Sequence, residues 1–561
     1  MNNLTKIVCT IGPSCHSAEM IKKMITRGMD VARLNFSHDP HELQLEKINM
    51  VREVSKELGQ AVAILADIQG PKIRVAKLPN GPIELKKGET VTVTTLENTY
   101  GPDIIPTIYK NLPADVTPGS RILLDDGKME LTVTEVVSDT DVLCTVKKGG
   151  ILKEKKGINL PGINVAAPPL TEKDLKDIEF VLTQDVDYIA LSFVRRVSDI
   201  IRVKEIIHKH GKDTPVIAKI ERHEAIENFD EILKAADAIM VARGDLGVEL
   251  SPERVPTIQK TIIQKCNFAG KPVIVATQML ESMIESPMPT RAEASDVANA
   301  IIDGADAIML SGETATGQYP EEAVATMSKI SEDVERFVLR NRQNGTKSFN
   351  PLHTVADGLC YATTHTAIDL GAKAIVTYTE SGRTALLISK YRPSIPILAI
   401  TISEKISRRV NLYWGVIPSL IGSIASLEEV MAKSEEVAIA SGIVNNGEYI
   451  LITAGIPFGK AGSTNLMKIQ KITRKTEINA QTCKQLEKPK RTTQYECAEN
   501  SLKLTFDRSK CTACGDCVET CAFNIFEIKN NETFVNEENL RKCCKDGLCV
   551  KYCPYKAISI N

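Results

Sequence analysis

At 561 residues the chain exceeds what one hydrophobic core can organise, so about three to five domains are expected. A formal net charge of −2, with 43% hydrophobic and 25% charged residues, is the balance of an ordinary globular protein and argues against a nucleic-acid partner. No apolar run reaches the roughly 18 residues of a membrane span, and the opening "MNNLTKIVCTIGP" lacks the apolar segment of a signal peptide, so a cytoplasmic protein with no membrane contact is expected.

Short runs rich in Val and Ile recur along the first 313 residues: "KIVCTI" (6–11), "VARLNF" (31–36), "VAILADI" (62–68), "YIALSF" (188–193), "VIAKIE" (216–221), "AIMVARG" (238–244), "VIVATQ" (273–278) and "AIMLSGE" (307–313). Most precede segments with a helical polar face. Strands alternating with helices predict a parallel sheet, and eight such strands predict a closed (β/α)8 barrel. Between the third and fourth runs the pattern changes. "ETVTVTTLEN", "RILLDDGKMELTVTEVV" and "DVLCTVKKGG" alternate in the β manner and are broken by Gly and Pro turns. They predict a small β-barrel domain inserted in a βα loop, at the mouth of the larger barrel, where a lid would exclude water.

The strand ends are polar. The second ends in Arg33, Asn35, Ser37 and His38, the third in Asp67 followed by "GPKIR", the fifth in Lys219 and Glu221, and the sixth in "RGDLG". Polar groups at the C-terminal ends of several barrel strands read as an active site rather than as rim salt bridges. Glu221 and Asp245 come from neighbouring strands and suit Mg²⁺ that also bridges to a substrate phosphate. Lys219 beside such a metal would stabilise an enolate or a transferring phosphoryl group. "GDLGVE" reads as a helix start whose backbone N–H groups would hold a carboxylate or phosphate. Arg33, Arg74 and Lys156 add cationic clamps. The set points to phosphoryl transfer on a small anion.

The stretches "KIVCTIGPS", "VARLNFSH", "ADIQGPKIR", "KKGINLPG", "LSFVR", "IAKIE", "MVARGDLGVE", "VATQMLESMI", "PTRAEASDVANA" and "MLSGETATGQYP" closely resemble those of pyruvate kinases, from residue 6 to residue 320. The resemblance implies phosphoenolpyruvate and ADP as substrates, Mg²⁺ or Mn²⁺ as cofactor, and a homotetramer. It implies that Lys219 stabilises the enolpyruvate transition state and that Glu221 and Asp245 bind the metal. Gly244, Asp245 and Thr277 would hold the substrate carboxylate, with Thr277 near the protonation step, and Arg33 would contact the transferring phosphate. Arg74 and Lys156 would meet the nucleotide phosphates, with Asn35 and His38 on the nucleotide side. Asn35, Ser37, Asp67 and the carbonyl of Ile68 would form a monovalent-cation site. Here the chain departs from many relatives: Lys72 stands where they carry Glu. An ammonium near that site would replace K⁺ and repel it, so activity without added K⁺ is expected.

After "GTKSFNP" (345–351) an α/β unit resembles the C-terminal domain of the same family. In "TESGRT", the residues Thr379, Ser381, Gly382, Arg383 and Thr384 would take the phosphate of a sugar-phosphate or nucleotide effector, against the plainer reading of a helix cap.

Eight of the fifteen cysteines cluster within residues 511–553; the others sit mostly in apolar runs and read as buried hydrophobes. "CTACGDCVETC" has the spacing C-x2-C-x2-C-x3-C, and "KCCKDGLCVKYCPYKAI" repeats it loosely. The module resembles a small bacterial ferredoxin. By the crossed ligation of such modules, Cys511, Cys514, Cys517 and Cys553 would hold one [4Fe–4S] cluster, and Cys543, Cys544, Cys549 and Cys521 a second. Zinc is the rival metal. Cys483 and Cys497 have no ligand spacing. The expected fold class is thus α/β: the barrel over 1–69 and 168–345, the lid over 70–167, a regulatory-type domain over 346–475, a linker over 476–500 and a ferredoxin-like α+β module over 501–561. The module would regulate the enzyme, dock it to a redox partner, or be purely structural. The alternative for the whole chain is a non-catalytic redox sensor or scaffold on a kinase barrel. That reading would fit a lost Lys219 or metal carboxylate, and both are present.

Overall fold

The computed structural model describes residues 3–96, 99–166, 168–342, 354–424, 426–456, 464–473, 492–497, 502–507, 510–511, 525–529, 532–536, 539, 550 and 557–560. The chain forms two units, Met1–Arg474 and Lys475–Asn561. Among the described residues no helix is long and apolar enough to cross a membrane.

In the first unit, β1 (Lys6–Thr10), β2 (Met29–Asn35) and β3 (Ala63–Ile68) open a parallel sheet. The chain then leaves it for eight short strands: β4 (Ile83–Leu85), β5 (Thr90–Thr94), β6 (Ile104–Pro106), β7 (Arg121–Leu124), β8 (Met129–Val136), β9 (Asp141–Lys148), β10 (Gly150–Leu152) and β11 (Ile158–Asn159). It returns through β12 (Tyr188–Leu191), β13 (Val216–Ile220), β14 (Ala238–Ala242), β15 (Val273–Ala276) and β16 (Ala307–Leu310). The order β1-β16-β15-β14-β13-β12-β3-β2 closes the eight-stranded barrel. Alternate residues of each strand face inward and outward. Val8, Val31, Leu65, Tyr188, Ile217, Met240, Ile274 and Met309 fill the interior, while Ile7, Leu34, Ile64, Ile189 and Ile239 meet the helical layer. Burial on both faces is why these strands read as continuous apolar runs.

The inserted strands form a six-stranded mixed sheet, β11-β7-β8-β9-β5-β6, and a two-stranded ribbon, β10-β4. Residues 73–76 join the two edge strands: the Ile158 N–H of β11 donates to the Ile73 carbonyl at 3.0 Å and the Ala76 N–H donates to the Pro106 carbonyl of β6 at 2.8 Å, so the sheet closes as the expected small β-barrel. Its core includes Val93, Ile105, Ile122, Leu131 and Cys144. The cysteines Cys9, Cys15, Cys144, Cys266 and Cys360 are free and buried. Burial pushes the thiols of Cys15 and Cys144 up to about 11 and 12, so they behave as hydrophobes.

A second sheet follows, from β17 (Ala374–Tyr378), β18 (Ile397–Thr401), β19 (Val416–Leu420), β20 (Tyr449–Gly455) and β21 (Thr464–Lys471), in the order β19-β18-β17-β20-β21, with β21 antiparallel. It is joined to the barrel at the N-terminal ends of the barrel strands. Leu412 is fully buried within the barrel's interior cluster. The Tyr188 hydroxyl donates to the Arg409 carbonyl at 2.6 Å, and Asn411 Nδ2 donates to the carbonyls of Asp30 at 3.0 Å and Ala61 at 2.6 Å. The bottom of the barrel is therefore plugged, and the opposite mouth is the face left for chemistry.

In the second unit, β22 (Thr492–Cys497) pairs antiparallel with β23 (Leu502–Asp507). β24 (Phe526–Lys529) pairs with β25 (Glu532–Val535), and β23 also pairs with β26 (Ile558–Ile560). Residues 492–497, expected within a linker, are a strand instead: "TTQYEC" is β-branched and aromatic and finds a partner in β23. Leu504, Phe506, Ile525, Phe526, Ala557 and Ile558 form the core, with Cys511 packed against it. Cys483, Cys514, Cys517, Cys521, Cys543, Cys544, Cys549 and Cys553 lie outside the described residues.

Candidate active site

Barrel closure brings the ends of β2, β3, β12 and β13 together. Lys219, the fourth residue of β13, donates to Ser192 Oγ at 2.7 Å and lies 3.1 Å from Asp67 Oδ1 and 3.0 Å from Glu221 Oε1. Asp67 Oδ2 accepts from Arg33 Nε at 2.7 Å, and Arg33 Nη1 donates to Thr10 Oγ1 at 2.9 Å. Burial works against the charge on Lys219, but the carboxylates of Asp67 and Glu221 outweigh it and raise its pKa above the ordinary lysine range. Asp67 is the converse. Burial pushes its carboxyl up, yet Lys219 and Arg33 hold it below the usual range. Lys219, expected to stabilise the transition state, Arg33, expected as a phosphate clamp, and Asp67, expected as a cation ligand, thus form one charged network.

Glu221 follows β13, is buried, and accepts the Phe193 N–H at 2.7 Å. Burial pushes its carboxyl up; Lys219 pulls it down, and the nearby Asp245 charge pushes it up again. A buried carboxyl repelled by a second carboxylate is a donor set that a divalent cation suits, and the pair fits Mg²⁺.

Asp245 lies in the helix Arg243–Glu249, which starts directly after β14. Its Oδ1 is 3.2 Å from Lys72 Nζ. Lys72, expected beside the monovalent-cation set, is thus paired with Asp245. The expected cation ligand Asp67 has both oxygens engaged by Arg33, Lys219 and Ser192. Asn35 Oδ1 accepts the Ser37 N–H at 3.1 Å, and Ile68 ends β3.

Thr277 follows β15 with φ +70, a conformation that side chains rarely adopt and that aims it at the helix. Its Oγ1 accepts the Gly244 N–H at 2.8 Å and donates to the Ala276 carbonyl at 2.6 Å. Arg243 fixes this turn: its Nη2 donates to the Thr277 carbonyl at 2.7 Å, and its Nη1 donates to Asp296 Oδ2 at 2.6 Å. Ser192 and Arg243 were missed as site residues. Both stood in quoted strand ends, "LSF" and "VARG", and only their spatial partners reveal their positions.

Arg74 and Lys156 belong to the lid. Arg74 Nη1 donates to the Lys155 carbonyl at 2.9 Å, and Lys156 Nζ is 2.8 Å from Asp125 Oδ1. His38 is exposed beyond β2. In the second sheet, Gly382, at φ +81, caps the helix Arg383–Lys390 and donates to Thr379 Oγ1 at 2.9 Å. Thr384 Oγ1 lies 2.7 Å from Thr464 Oγ1, while Ser381 and Arg383 are exposed. Of the expected cluster cysteines only Cys511 is described; its thiol donates to Thr533 Oγ1 at 3.3 Å.

Comparisons with known proteins agree with this geometry. The family "Pyruvate kinase, barrel domain" matches residues 2–324, "Pyruvate kinase, alpha/beta domain" residues 357–470, and "4Fe-4S binding domain" residues 503–526. The pyruvate kinase of Geobacillus stearothermophilus is 48% identical over 474 residues, 84% of this chain and 81% of that one. That of Staphylococcus aureus (strain MRSA252) is 49% identical over 471 residues, 83% of this chain and 80% of the relative. The crystal structure of a pyruvate kinase from Cryptosporidium parvum superposes with a TM-score of 0.79 at 40% identity, covering 84% of this chain and 96% of that one. With the barrel family matched across more than half its length, the chain belongs to the pyruvate kinase family.

Proposed function

We propose that this protein transfers the phosphoryl group of phosphoenolpyruvate to ADP, giving pyruvate and ATP, in the cytoplasm and as a homotetramer. Glu221 and Asp245 would hold Mg²⁺ or Mn²⁺. The bound cation supplies positive charge to the oxygens of the transferring phosphoryl group. Arg33 orients that group from the other side. The bond between phosphorus and the enol oxygen breaks as a β-phosphate oxygen of ADP attacks. Lys219, kept cationic by Asp67, stabilises the enolate that leaves. The enolate then takes a proton at its methylene carbon, on the side of Thr277. The N–H groups of Gly244 and Asp245, with the Thr277 hydroxyl, receive the substrate carboxylate. Asn35, His38, Arg74 and Lys156 serve the nucleotide, and closing the lid excludes water.

Asn35, Ser37, Asp67 and Ile68 are the candidate monovalent-cation ligands, with K⁺ not required because of Lys72. Residues 379–384 are the candidate effector site. The tail binds one [4Fe–4S] cluster through Cys511, Cys514, Cys517 and Cys553 and a second through Cys543, Cys544, Cys549 and Cys521, with a regulatory or docking role.

The observation that carries the reading is Lys219, held charged between Asp67 and Glu221. Pyruvate formation from phosphoenolpyruvate and ADP should fall about 10³-fold in Lys219→Met. Unchanged turnover in that variant would overturn it.

A further inference from the structure

Four charged groups meet at the carboxylates expected to hold the divalent cation: Glu221, Asp245, Lys219 and Lys72. Their formal charges cancel. A divalent cation entering between the carboxylates must therefore displace one ammonium or sit beside both. The two ammoniums are not equally held. Lys219 is buried and shares three partners: Ser192, Asp67 and Glu221. Lys72 has its Nζ 3.2 Å from Asp245 Oδ1 and 5.9 Å from the Phe193 ring centroid, and about a quarter of each partner's side chain reaches solvent. Lys72 is the group that can yield.

The route of the side chain shows that this contact is built rather than incidental. Lys72 lies just inside the lid insertion, and its stem crosses the returning lid strand at Gly157. A Cβ on Gly157 would stand 3.2 Å from Lys72 Cε, tighter than an ordinary contact. The backbone before it is fixed. The Gly70 N–H donates to the buried Asp174 at 3.0 Å, and Gly70 has φ +68, with a hypothetical Cβ only 2.9 Å from the Ser192 carbonyl. The Lys72 N–H donates to the Gly70 carbonyl at 2.9 Å. With this turn pinned, the side chain is the moving part.

We propose that Lys72 is an internal competitor for the divalent cation: its ammonium occupies Asp245 in the metal-free enzyme and is displaced when the metal binds. Lys72 is thus a positioning and affinity-setting residue for the metal carboxylate, and the inference rests on Glu221 and Asp245 being the metal ligands. Removing its charge frees Asp245 and removes repulsion of the incoming cation, so both effects act in the same direction.

The test is equilibrium Mn²⁺ binding to the full chain without substrates, read as loss of the free Mn²⁺ electron paramagnetic resonance signal at room temperature. Lys72→Met should bind Mn²⁺ about fivefold more tightly than the parent, and Lys72→Arg, which keeps the charge, should bind like the parent. Raising ionic strength should narrow the difference between parent and Lys72→Met. Equal affinity in parent and Lys72→Met, with binding lost in Asp245→Asn, would overturn the competition alone. Undiminished binding in Asp245→Asn would overturn the metal assignment beneath it.

Discussion

Lys219 Nζ lies 3.1 Å from Asp67 Oδ1, and this carboxylate together with Glu221 outweighs the burial that works against the lysine's charge. Replacing Asp67 by Asn removes the largest of the carboxylate contributions. The pKa of Lys219 then falls, and the lysine loses its charge at a lower pH. Asp67→Asn should reduce kcat about 10²-fold near neutrality and move the alkaline limb of the kcat profile to lower pH. Rates measured across the alkaline range check this; an unmoved limb would show that Asp67 does not govern Lys219.

The joint between the barrel and the second sheet rests on a buried ion pair. Arg392 Nη2 is 2.8 Å from Asp306 Oδ1, and the same guanidinium lies 4.9 Å from the ring centre of Trp414, the one tryptophan in the sequence. Arg392→Ala would leave the buried Asp306 carboxylate without its counter-charge, at a cost of about 3–5 kcal/mol. The urea midpoint followed by Trp414 fluorescence should drop accordingly. A midpoint equal to the parent's would mean that Asp306 finds other compensation.

Turnover should persist in buffer whose only monovalent cation is tetramethylammonium. Lys72 brings an ammonium of the chain's own to the mouth of the barrel, 3.2 Å from Asp245 Oδ1, and Asp67 already has its oxygens engaged by Arg33 and Lys219. Lys72→Glu reverses that charge and should make the rate depend on added K⁺. A sharp loss of parent activity without K⁺ and Na⁺ would refute the expectation.

The purified chain should be brown and hold about eight iron atoms when both clusters form, and Cys511→Ser should remove about half of them. Kinase turnover in Cys511→Ser should match the parent, because the proposed phosphoryl transfer moves no electrons to or from the tail. Unchanged iron content would exclude Cys511 as a ligand, and lost turnover would tie the tail to the reaction.

Much of the barrel and its mouth is legible in the sequence. A strand buried on both faces must be a run of Val, Ile and Ala, so all eight runs coincide with barrel strands, although every strand but β3 ends earlier than its apolar run. The polar residues left over at those ends become the charged mouth. In "ARGDLG" the strand ends at Ala242 and the helix begins at Arg243, which is how Arg243 comes to brace Thr277.

By itself the sequence determined which residues the proposed chemistry would use: the Lys219, Glu221 and Asp245 set, the candidate phosphate clamps and the cysteine spacing of the tail. Local patterning suffices there, because strand periodicity and ligand spacing are properties of neighbouring residues. Tertiary structure alone decided who meets whom. Lys72 and Asp245 are 173 residues apart, Lys219 and Asp67 are 152 apart, and Leu412 comes from a short 3-10 helix between β18 and β19 to fill the barrel it plugs. Those meetings depend on barrel closure and on the path of the lid connectors, which place distant charges within 3.2 Å of each other, and no local pattern records them.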